Sequence, residues 1–113
     1  MATARTRIKL PPSARPGELV EVTTLIGHPM ETGYRLDAEG RAVPRDILRR
    51  FSCHLEREGA PPELLFSAEL HPAIAANPYL AFAFVATRSG TLRMRWEGDQ
   101  GFSHVETATL TVA

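Results

Sequence analysis

The sequence predicts an all-β fold, an immunoglobulin-like antiparallel β-sandwich of about seven strands. Three observations carry that expectation. Apolar residues recur at every second position along most of the chain, which is the period of a half-buried strand. Clusters of Pro, Gly, Ser and Asn interrupt the pattern at short intervals. The chain has 113 residues, enough for one domain, 1–113, around one core.

The elements follow in order. A short strand near Ile8 ends in Pro11-Pro12-Ser13-Ala14-Arg15-Pro16-Gly17, a run that cannot continue a ladder. Over 19–26, Val20 and Val22 share one face while Glu21 and Thr23 share the other. Over 47–57, Phe51, Cys53 and Leu55 alternate with Arg50, Ser52, His54 and Glu56. A strand near Phe66 follows the break Glu58-Gly59-Ala60-Pro61-Pro62. The stretch 71–78, fenced by Pro72 and Pro78, is the best helical candidate and has room for a single turn. Leu92, Met94 and Trp96 alternate with Arg93, Arg95 and Glu97, which assigns Trp96 to the core. Ala108, Leu110 and Val112 alternate with Thr107, Thr109 and Thr111. Ser89-Gly90 and Gly98-Asp99-Gln100-Gly101 mark hairpin turns.

Two stretches depart from this pattern. The connection 27–45 has no clear period, and loops of that length inside a small domain are often functional. It holds Met30, Tyr34 and Leu36, apolar residues out of place in a solvated loop. The second stretch is 79–86. Leu80, Phe82 and Phe84 form one face, and Tyr79, Ala81, Ala83 and Val85 form the other. Both faces are apolar, whereas a sandwich strand ordinarily keeps one wet face. Two covers for the outer face stay open: the 27–45 loop folded back over it, or a second chain.

Charge narrows the function. Lys plus Arg and Asp plus Glu number 13 each, so the basic excess of a phosphate-backbone binder is missing. No apolar run reaches the roughly 18–20 residues of a membrane span. The first residues carry positive charge without a following apolar stretch, which predicts no signal peptide and, taken alone, a cytoplasmic chain. One cysteine, Cys53, cannot form an internal disulfide.

No catalytic constellation is expected. The histidines are His28, His54, His71 and His104, none at zinc-motif spacing from another histidine. Four histidines and a cysteine on a β-sandwich are similar in type to the iron ligands of superoxide reductases, which supplies an alternative reading as a metal-dependent redox enzyme. Against it, Cys53 and His54 are strand neighbours and point to opposite faces. Cys53 shares its face with Phe51 and Leu55, the setting of a buried thiol rather than an activated one. Neither a metal nor any other cofactor is therefore expected. His28 and Glu31 are expected to shape the long loop by hydrogen bonding within it.

Four blocks remain: His28-Pro29-Met30-Glu31-Thr32-Gly33-Tyr34-Arg35, Pro44-Arg45-Asp46-Ile47, Pro72-Ala73-Ile74-Ala75-Ala76-Asn77-Pro78-Tyr79-Leu80, and Asp99-Gln100-Gly101-Phe102. In this order and spacing the chain resembles the SoxZ family of the bacterial thiosulfate-oxidising (Sox) system, from about Ile8 to Val112. The resemblance implies an immunoglobulin-like sandwich that forms a heterodimer with SoxY. In that carrier the sulfur intermediates ride on a cysteine in a C-terminal arm of SoxY, and other Sox enzymes dock on it transiently. It implies a periplasmic location, reached without a signal peptide of its own by export with a twin-arginine-led partner. On this reading the chain supplies an interface and no reaction centre. Its partner-binding candidates are Met30, Tyr34, Tyr79, Ala81, Ala83 and Val85, while Leu80, Phe82 and Phe84 belong to its own core. A third reading is an immunoglobulin-like module paired with another redox protein.

Overall fold

The computed structural model describes residues 5–72, 74 and 76–113. Among these residues eight strands form two sheets: β1 (Thr6–Lys9), β2 (Ser13–Ala14), β3 (Leu19–Ile26), β4 (Leu48–Glu56), β5 (Glu63–Glu69), β6 (Tyr79–Val85), β7 (Gly90–Gly98) and β8 (Ser103–Val112). The small sheet has the order β1-β3-β6 and the large one β2-β8-β7-β4-β5. This is an immunoglobulin-like β-sandwich, and its long strands are those that the period of two marks. The additional strand, β2, is two residues long and pairs in parallel with the end of β8. Its pairing depends on a remote partner, and prolines surround it, so no local pattern announces it.

The core is built by the alternation. Val20 and Val22 of β3, Phe51, Cys53 and Leu55 of β4, Phe82 and Phe84 of β6, and Leu92, Met94 and Trp96 of β7 are all buried. Phe51 lies at the centre, its ring 5.1 Å from Trp96, 5.9 Å from Phe82 and 6.1 Å from Phe66. Phe66 of β5 stacks on Phe82 of β6 with ring centroids 4.6 Å apart. That stack joins the two sheets where the edge strands β5 and β6 face each other. Aromatic contacts of this kind add roughly 0.5–1.5 kcal/mol beyond the area they bury.

Turns obey local chemistry. Gly98 sits where a Cβ would come 2.6 Å from the carbonyl oxygen of Ile47, so only glycine lets β7 approach the start of β4. In the 71–78 stretch the Ile74 N–H donates to the His71 carbonyl, a turn; Ala73 and Ala75 of that expected helical turn lie outside the described residues.

The 27–45 connection does not fold over β6. It is zipped into a ribbon of its own by isolated bridges Glu31–Asp46 and Leu36–Ala42. The Asp37 carboxylate closes its tip by accepting from the N–H groups of Glu39 and Arg41. Met30, expected at a partner surface, is instead 5% exposed and part of the core. Its Sδ accepts from the Leu48 N–H at 3.2 Å, and its left-handed backbone (φ 54°) turns the side chain inward to plug the sandwich end.

Candidate partner interface

The four sequence blocks meet at one end of the sandwich, around His28. The His28 N–H donates to Asn77 Oδ1, and the Asn77 N–H donates back to the His28 carbonyl. This reciprocal pair ties the long loop to the turn that launches β6, and Asn77 tolerates the left-handed φ of 52° that the turn needs. His28 Nδ1 accepts from the Met30 N–H at 3.1 Å. That bond fixes the neutral tautomer with its proton on Nε2, which lies 3.6 Å from Asp46 Oδ1. The Phe102 ring meets the imidazole edge-on at 5.1 Å. Burial pulls the His28 pKa below 6.5, against the opposing pull of the Asp46 and Asp99 carboxylates.

Around this knot lie two exposed ion pairs. Glu31 accepts from Arg35 Nε at 2.9 Å, which holds the Glu31 carboxyl below its usual range. Asp99 is also held low: a desolvation effect raising it is outweighed by hydrogen bonds from Arg45 and from the Ile47 N–H. Gly33 adopts φ 92° with the Arg45 Cβ 3.2 Å from where its own Cβ would stand, so the Thr-Gly step of the first block is a backbone requirement. His28 and Glu31 both make their bonds inside this end structure.

The exposed apolar surface starts at that end and runs along β6. Tyr79 is 62% exposed and Val85 56%, and Ala81 and Ala83 between them are exposed too. All four point to the outer face of the small sheet, while Phe82 and Phe84 are buried and Leu80 half-buried. The neighbouring strand extends the patch: Leu19 of β3, 67% exposed, stands opposite Val85, and half-buried Leu25 stands opposite Tyr79. Leu19 and Leu25 share their side of β3 with Glu21 and Thr23, and that parity was the available signal for them. Tyr34, 87% exposed, stands out from the ribbon rather than on this sheet face, as does exposed Leu36. The patch thus gathers Tyr79, Ala81, Ala83 and Val85, leaves Tyr34 apart and excludes Met30.

Cys53 is fully buried in β4, and burial pushes its thiol up to about 12, far from a thiolate at neutral pH. Among the described residues no three His, Cys, Asp or Glu side chains gather closely enough to hold a metal ion.

The family model described as "Sulphur oxidation protein SoxZ" matches residues 8–109. The chain belongs to the SoxZ family. It is therefore a sulfur-oxidation protein of the Sox system. Among curated sequences none matches it. Solved structures similar to this SoxZ-family chain share its fold. The superoxide reductase (neelaredoxin) of Ignicoccus hospitalis is 19% identical, with 96% of this chain and 80% of that one covered and a TM-score of 0.73. A putative superoxide reductase of Thermotoga maritima is 17% identical, with 96% and 85% covered and a TM-score of 0.74. The sulfur carrier protein SoxY of Chlorobium limicola f thiosulfatophilum is 16% identical, with 96% and 78% covered and a TM-score of 0.64. At such identities the likeness is one of architecture; it carries neither the reductase's activity nor the carrier's role to this chain.

Proposed function

We propose that this chain is the non-catalytic subunit of a sulfur-compound carrier and forms a heterodimer with a SoxY-like chain through the outer face of β6 and β3. The observation that carries the reading is the apolar stripe Tyr79, Ala81, Ala83 and Val85 along β6, which Leu19 and Leu25 extend at its two ends on β3 with Glu21 and Thr23 between them, and which has no cover among the described residues. Such a face is costly in water and is the usual core of a subunit contact. The buried Cys53 supports the same division of labour, because a sulfur intermediate needs an accessible thiolate and this chain offers none. The partner's C-terminal cysteine arm would carry the sulfur, and this subunit would provide half of the rigid base on which other Sox enzymes dock. We place the complex in the periplasm, exported together with a twin-arginine-led partner, in keeping with the family resemblance.

Val85→Asp tests the interface. Val85 projects into solvent in the isolated chain, so the variant is expected to keep the wild-type circular dichroism. Buried against a partner, the carboxylate would lack a counter-charge and abolish co-purification with the SoxY-like chain. Unchanged co-purification would remove this face from the contact.

A further inference from the structure

The hydrogen bonding of β6 says how such a partner would attach. At one end of the β3–β6 ladder the Ile26 N–H donates to the Pro78 carbonyl, and at the other the Ala86 N–H donates to the Glu18 carbonyl. The register between them runs without a slip. In an antiparallel pair hydrogen-bonded positions alternate with open ones. The backbone groups of Leu80, Phe82 and Phe84 therefore turn toward β3, and those of Tyr79, Ala81, Ala83 and Val85 turn away. No other strand among the described residues pairs with β6. The four residues that present the apolar outer face are thus also the four with open N–H and C=O groups along the free edge.

Natural edge strands are normally blunted by charge, proline, a bulge or brevity. The other three edges of this sandwich follow the rule. β1 carries Arg7 and Lys9, β2 is two residues long beside Pro11 and Pro12, and β5 begins and ends in glutamate and meets a bulge at Cys53/His54. β6 reads Tyr-Leu-Ala-Phe-Ala-Phe-Val, seven residues with no charge, no proline and no register shift. On the inner side of the same edge, Leu65, Phe66 and Leu80 are only partly buried. An unpaired row of alternating donors and acceptors, apolar above and below, matches one kind of occupant: another extended strand.

We propose that the partner subunit adds an uncharged, extended strand to the free edge of β6 and lengthens the three-stranded sheet across the subunit boundary. This rests on the heterodimer reading above and specifies its mode. The incoming strand would present large apolar side chains on its outer face, filling the trough that Ala81 and Ala83 leave between Tyr79 and Val85. Its inward side chains would cover Leu65, Phe66 and Leu80. A second copy of this chain fits the edge less well. In any two-fold antiparallel register that overlaps most of β6, an alanine falls opposite an alanine and part of the trough stays empty.

The test is site-resolved amide hydrogen exchange on the isotope-labelled chain, alone and co-expressed with an unlabelled SoxY-like chain. In the complex the N–H groups of Tyr79, Ala81, Ala83 and Val85 should slow by on the order of 100-fold or more, while those of Leu80, Phe82 and Phe84 are protected in both samples. Ala83→Pro removes an edge-facing donor without costing a ladder bond to β3, so it should keep the fold and weaken the complex at least ~100-fold. A complex that forms while the four amides exchange as in the free chain would overturn strand addition and leave the heterodimer standing. So would wild-type binding by Ala83→Pro. Failure to form any complex would defeat the heterodimer reading and this inference with it. Protection that grows with the concentration of the isolated chain would assign the edge to a second copy and overturn the proposal.

Discussion

His28 shows how much one side chain can hold. Its backbone joins the ribbon to the turn before β6, its Nδ1 satisfies the Met30 N–H, and its ring meets Phe102. Protonation would turn Nδ1 from acceptor to donor and set it against that N–H. Asp46, 3.6 Å from Nε2, offers partial compensation, yet burial dominates and keeps the folded pKa below 6.5. The unfolded chain then takes up the proton first, so this contribution to stability is complete above about pH 6.5 and is lost as pH falls through the folded value. The melting temperature should therefore drop between about pH 7.5 and about pH 5.5. His28→Asn, which retains an acceptor for the Met30 N–H, should flatten that drop. Glu31, Asp99 and Glu106 are also held low, but their effect belongs below 4.5 and does not overlap this window. A wild-type slope that survives in His28→Asn would assign the dependence to other groups.

Along β6 the two faces divide the work, and substitutions on them should separate. Phe82 is buried between Phe51 and Phe66, so Phe82→Ala should cost about 3–5 kcal/mol of folding stability by urea titration. Tyr79 stands in solvent, so Tyr79→Ala should change folding by no more than about 0.5 kcal/mol. Against a bound SoxY-like chain the same change should cost about 2 kcal/mol or more, as exposed tyrosines at interface centres do. Equal losses of stability from both would mean that the outer face is already packed in the isolated chain. The two-faced apolar character of this strand was legible in the sequence, because a period of two assigns faces without knowing the partner. Met30 was not, because an apolar residue in a loop reads equally as a plug or as a contact until the Leu48 N–H is seen to meet its sulfur. Leu19 and Leu25 are hidden in the sequence because Glu21 and Thr23 on the same side of β3 give that face a wet pattern. Short β2 was invisible for a different reason: its ladder lies with β8, nearly the whole chain away.

At the scale of the whole molecule, motif order gave no hint that the four blocks converge on His28, since sequence records succession and not contact. Convergence gives them a structural reason: they anchor one end of a rigid sandwich from which the β6 stripe departs. Cys53 sits in that sandwich on a central strand, flanked by β5 and β7 and sealed by its own core. Its thiol can meet a reagent only when β4 is released, which for a single small core means opening nearly the entire fold. Labelling by a small aromatic disulfide in native buffer should therefore run at least about 1,000-fold slower than in denaturant. Its rate should rise with urea in step with global unfolding. Adding the SoxY-like chain should slow it further, because a ligand of the native state deepens the folded well by mass action. Rapid labelling of the native chain would expose a thiolate that the core is built to suppress, and would make this subunit itself a candidate sulfur acceptor.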